Sequence, residues 1–111
     1  MTFDESLADR VRDLVHTEQA VTEKRMFGGL AFLINGNMAV SASGQGGLLL
    51  RVDPAETDQL ARRPHAQVAV MRGREMAGWL RVDAEGVRTK PQLEKWVVRG
   101  VAYARSLPPK K

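Results

Sequence analysis

The stretch "MFGGLAFLINGNMAV", residues 26–40, decides how the chain is read, because a glycine pair and an Asn-Gly-Asn triplet interrupt an otherwise apolar run. Asn35-Gly36 lies between two strand-like segments and predicts a β-hairpin, since both central residues of a type I′ turn need positive φ. A two-residue loop there pairs Leu33 with Met38 and Phe32 with Ala39. Leu30 to Ile34 is apolar at every position, as in an inner strand covered on each side, and so predicts helices or a partner on both faces. Gly28 and Gly29 read as a bend ahead of that strand.

Helical periods flank this block. Upstream, Phe3, Leu7, Val11, Leu14 and Val15 recur at helical spacing behind a Thr2–Glu5 capping box, predicting a helix over roughly residues 3–16 with its acids early, where the helix dipole favours them. Downstream, "SGQGG" reads as a loop and "LLLRV", residues 48–52, as a strand. Asp53-Pro54-Ala55-Glu56 then opens a short helix to about Arg62: Asp at the N-cap, Pro in the first turn and Glu at the third position. "QVAVM" and "GWLRV" read as two strands around a turn at Arg72-Gly73-Arg74. Thr89 and Gln92 form a second capping-box pair before the stripe Leu93, Trp96, Val97, Val101, Ala104 and Leu107, a long helix stopped by Pro108-Pro109. The order is helix, three or four strands, short helix, two strands, long helix, in one domain over residues 1–111. Phe27, Leu30, Phe32, Leu50, Trp79 and Trp96 are the expected core.

Several chemistries lack their residues. The chain has 111 residues and no cysteine, which excludes disulfides and thiolate sites and makes the cytoplasm the expected compartment. No apolar run approaches the ~20 residues of a membrane span. Gly28-Gly29 is followed by Leu30-Ala31, without the lysine and hydroxyl of a phosphate-binding loop, and "GQGGLL", residues 44–49, leads into a strand where a dinucleotide site needs a helix. His16 and His65 stand alone in their regions, so no metal is expected. Ser6, Ser41, Ser43 and Ser106 lack the context of an activated nucleophile. The expectation is a non-enzyme without cofactor.

Charge is uneven. Residues 1–23 sum to −4 and the remainder to +8, within a net charge of +4. An acidic helix over a basic sheet would give that pattern, and so would a surface that attracts an acidic partner. Arg72, Arg74 and Arg81 around Trp79, with Lys95 and Arg99 on the last helix, are the candidate anion or nucleic-acid contacts; Lys90, Arg105, Lys110 and Lys111 extend the basic end of that helix. Gly28, Gly29, Asn35, Gly36 and Gly73 are the candidate turn residues.

Four blocks in order, "RMFGGLAFLINGNMAV", "GGLLLRVDP", "RGREMAGWLRV" and "LEKWVVRGVAYARSLPPK", resemble the N-terminal domain of the TfoX/Sxy competence-regulator family. The resemblance implies an α+β domain like the secretion-chaperone folds. Its antiparallel sheet of five to six strands would pack with an N-terminal helix, a short middle helix and a long C-terminal helix. It also implies positive regulation of competence genes through protein partners in transcription, without catalysis, and it supplies no catalytic residues. Two functions follow for testing: a protein-interaction module whose partner is another protein or a second copy, and a nucleic-acid contact through the basic hairpin and last helix. A small-ligand binder or enzyme is the third.

Overall fold

The computed structural model describes residues 4–26, 28–44 and 46–109. Phe27, placed in the core above, lies outside the described residues, as do Thr2, Phe3, Lys110 and Lys111.

The elements follow the expected order: α1 (Glu5–Val15), β1 (Val21–Met26), β2 (Gly29–Ile34), β3 (Asn37–Ala42), β4 (Leu48–Arg51), α2 (Thr57–Leu60), β5 (Ala66–Met71), β6 (Arg74–Val82) and α3 (Lys90–Ser106). One antiparallel sheet holds all six strands in the order β1-β2-β3-β4-β6-β5. α1 is capped by Asp4, whose Oδ1 accepts from the Leu7 backbone N–H at 3.1 Å; the cap therefore falls two residues after Thr2. A 3₁₀ turn over Pro54–Glu56 precedes α2, so the α-helical part ends at Leu60, short of Arg62. Asp53 caps it as read, accepting from Ala55 N–H at 2.9 Å. α3 opens with the Thr89–Gln92 capping box. No helix is long and apolar enough to cross a membrane.

Asn35 and Gly36 have φ of 53° and 83°, the left-handed pair of a type I′ turn. Leu33 pairs with Met38 as predicted, but Phe32 pairs with Val40 because Ala39 is an extra residue in β3. This bulge puts Met38 on one face of the sheet and both Ala39 and Val40 on the other. Gly29 is a close approach of two strands: a Cβ there would collide with the carbonyl oxygen of Ala42. The glycine pair of the opening stretch thus shapes a sheet.

The two faces of β2 differ. Leu30, Phe32 and Ile34 join Val40, Leu48, Leu50, Leu80 and Val82 beneath α1 and α3, whose Leu7, Val11, Val15, Leu93, Trp96 and Val97 complete the main core. The opposite face carries a smaller cluster of Ala31, Met38, Leu49 and Ala69, flanked by Leu33, Met26 and Trp79. The expectation of helices on both faces is therefore corrected: α1 and α3 pack into the main core on one face, and on the other Ala31, Met38, Leu49 and Ala69 are buried among the sheet's own side chains. Trp79 belongs to this second face, half-buried, and not to the main core.

β5 and β6 meet at Arg72-Gly73, with φ of 53° and 76°; Arg74 already belongs to β6. Farther along, Met76 to Trp79 of β6 oppose the single residue Ala69, which bends the hairpin. Gly78 supplies the bend with φ +91°. Its N–H donates to the buried Thr57 hydroxyl at 2.7 Å, and its carbonyl accepts from Val52 N–H at 2.8 Å.

Long contacts fasten the helices. Arg12 grips Glu23 of β1 with Nε–Oε2 at 2.6 Å and Nη2–Oε1 at 2.8 Å, and this bidentate pair holds the Glu23 carboxyl below its usual range. Arg105 donates to Glu18 Oε1 at 3.0 Å and to the Gln19 carbonyl at 3.1 Å, while Asn37 Nδ2 donates to the Pro108 carbonyl at 2.9 Å. The last turn of α3 is thereby tied beside the β2–β3 turn.

A candidate basic cleft on the long helix

The segment between α2 and β5, residues 61–65, turns sharply before Pro64 and after it. Arg63 N–H donates to the Leu60 carbonyl at 3.1 Å, and Ala66 N–H to the Arg63 carbonyl at 3.2 Å. His65 takes a φ of 68°, a conformation that costs a non-glycine residue free energy and persists only when neighbours fix it. Here the His65 carbonyl accepts from Asp83 N–H at 3.0 Å, and the His65 ring nitrogen Nδ1 stands 3.2 Å from an Asp83 carboxylate oxygen.

This segment faces the first half of α3. Between them lies a cleft of about 240 Å³ lined by Arg63, Pro64, His65, Gly86, Gln92, Lys95, Trp96 and Arg99. Its wall contains three permanent cations, a histidine and one edge of an indole, and no carboxylate. The first turn of α3, with its capping box, adds the positive end of the helix dipole near Gln92. Lys95 and Arg99 also border an adjoining groove of about 380 Å³ with Val98, Ala102 and Tyr103, where Asp53 and Glu56 supply acids. There Arg99 pairs with Glu56 at 3.4 Å. Such an array suits carboxylates or phosphates, with guanidinium groups offering paired donors and the indole an apolar floor.

The five predicted contacts do not form one surface. Lys95 and Arg99 meet in the cleft. Arg72 and Arg74 lie at the tip of the β5–β6 hairpin, the opposite end of β5 from His65. Arg81 points to the second face of the sheet, where Nη1 donates to Ser43 Oγ at 2.8 Å, and it borders a second hollow of about 320 Å³ with Gly46, Gly47, Asp83 and His65, the last shared with the cleft. The Arg51 guanidinium lies 5.6 Å from the centre of the Trp79 ring and 5.9 Å from that of Tyr103 on α3. Sequence reasoning missed Arg63 and His65, which reach α3 only through the fold; the one local signal was Pro64 among cations between two elements. Among the described residues no group of three or more His, Asp or Glu stands close enough to share a metal ion.

A family model of the TfoX N-terminal domain matches residues 13–104. Neither the curated proteins nor the solved structures compared with the chain give a match.

Proposed function

Because this chain belongs to the TfoX N-terminal domain family, we propose that it is a non-enzymatic regulatory module of the cytoplasm that works by binding an acidic segment of another protein. One observation carries the reading: the cleft of Arg63, His65, Lys95 and Arg99 around Trp96 has no acid in its own wall, the nearest being Glu56 beside Arg99 and Asp83 beside His65. A partner's aspartates or glutamates would find guanidinium and ammonium donors there, with apolar contact from the indole. Arg63 and Lys95 are exposed and Arg99 is half-buried, so the attraction is salt-sensitive and contributes more to encounter and orientation than to tight affinity.

The nucleic-acid reading draws on the same positive charge. It is the weaker one, because Arg72 and Arg74, Arg81, and the Lys95–Arg99 pair stand in three separate places instead of along one backbone track. Titration of a polyglutamate-rich peptide and of duplex DNA across a salt series tests both. The expected result is peptide binding that weakens with salt and falls about tenfold in Lys95→Glu/Arg99→Glu, with DNA bound less tightly. No peptide binding at low ionic strength would sink the proposal, and tighter binding of DNA would favour the alternative.

A further inference from the structure

The sheet has two outer strands, and β5 is the one without a charged side chain along its length: Ala66-Gln67-Val68-Ala69-Val70-Met71. Its pairing with β6 shows which backbone groups look outward. The His65 carbonyl bonds inward to Asp83, Gln67 stands opposite Arg81 in the same phase, and Met71 stands opposite Arg74 across the two-residue turn. Alternation then turns Ala66, Val68 and Val70 to the open side. The Ala66 N–H is already used by the Arg63 carbonyl. The outward row is therefore the N–H groups of Val68 and Val70 with the carbonyls of Ala66, Val68 and Val70. Val70 is also 57 % exposed, one of two large apolar side chains so placed among the described residues.

Cations bracket this bare row. Arg63 stands near its start, beside His65 with its Asp83 neighbour at 3.2 Å, and Arg72 and Arg74 stand at its end, while Glu75 sits on β6 opposite Val70, on the inner side. We propose that the β5 edge receives an extended segment of another protein as a seventh strand, apolar in its centre and acidic at both ends. The backbone row would supply affinity, and the bracketing cations would select the flanks. A second copy of this chain suits the edge poorly. Antiparallel pairing about Val68 would bring Arg72 beside Pro64 and Gly73 beside Arg63 of the copy, so each cationic end would meet another. This inference shares Arg63 and His65 with the wall of the cleft, but its affinity rests on main-chain groups of β5 and not on Lys95 or Arg99 of α3.

The probe is a short peptide with a Val-Thr-Val-Thr-Val-Thr centre and two glutamates at each end, titrated against the full chain at low ionic strength. Expected are binding with slowed deuterium exchange at the Val68 and Val70 amides, and a loss of about tenfold or more in three cases: methylation of the peptide's central backbone nitrogens, replacement of its glutamates by lysines, and Val70→Pro. Lys95→Glu/Arg99→Glu should change this affinity by less than about threefold, which separates the edge from the cleft. Methylation of the peptide leaves the protein unaltered and so decides the matter even if Val70→Pro misfolds. The proposal is overturned by absence of binding, by binding that survives methylation, or by self-association of the chain that protects the same two amides.

Discussion

The two outer strands of the sheet solve the same problem in opposite ways. β1, at one edge, carries Thr22, Glu23, Lys24 and Arg25 in succession, and Glu23 is clasped by Arg12 of α1. Charges along an edge deter a passing strand, because pairing would strip water from them without offering partners. β5, at the other edge, has no such guard, and it pairs with β6 on both sides of the bend in that strand. The contrast is one of charge: β1 carries three charged side chains along its length and β5 none.

That comparison breaks most severely at the bend. Gly78→Ala would force a side chain into φ +91° and place its Cβ 3.2 Å from Pro54 Cγ, for a loss of about 2 kcal/mol in denaturant unfolding. Thr57→Val, which leaves the buried Gly78 N–H without its acceptor, should cost about 1–2 kcal/mol. In both variants, hydrogen exchange should quicken in β5 well before β1; equal loosening of both strands would show that the bend is not what holds the bare edge.

A smaller effect comes from placing the same charge on each edge. Glu23→Lys sets two cations together and should destabilise the fold by about 1 kcal/mol, whereas Val70→Lys, at an exposed position, should change stability by less than about 0.5 kcal/mol. Light scattering on mild heating should fall in Val70→Lys and rise in Lys24→Val, since one substitution guards the open strand and the other unguards the closed one.

The smallest effect is the pH dependence of the clasp. The Glu23 carboxyl is held below its unfolded value by Arg12, so its contribution is complete above the ordinary glutamate range and disappears as pH falls through the depressed value. Melting temperatures of the wild-type chain and Glu23→Gln should differ most near neutrality and converge in acid. A gap that stayed constant into acid would mean that packing, and not charge, joins α1 to β1.

Much of this architecture is readable from residues close together in sequence. Asn35-Gly36 announces its turn because positive φ at two successive positions is a local demand, and Thr89–Gln92 announces α3 because a capping box spans one helical turn. Ala39 as an extra residue in β3 is not readable in the same way: either register keeps apolar residues inside, and packing against α3, where Gly100 lets the helix approach the Ala39 carbonyl, selects between them. The cleft was half legible. Lys95 and Arg99 lie one helical turn apart, but Arg63 and His65 join them only because the sheet brings a loop some thirty residues earlier against the helix, and no local pattern records that. Arg81 failed as a partner of Arg72 and Arg74 for a related reason. Its place in a long strand carries it to the far end and opposite face of the sheet from the helices.

The fastening of Pro108 to Asn37 has a practical side. Because β3 and β6 run in the same direction, the end of α3 emerges where both hairpin turns lie, and the cleft opens at the other extremity of the molecule. A biotin attached beyond Pro109 and captured on streptavidin would hold the domain with its cationic mouth directed toward the bulk solution, an orientation suited to surface-based capture assays.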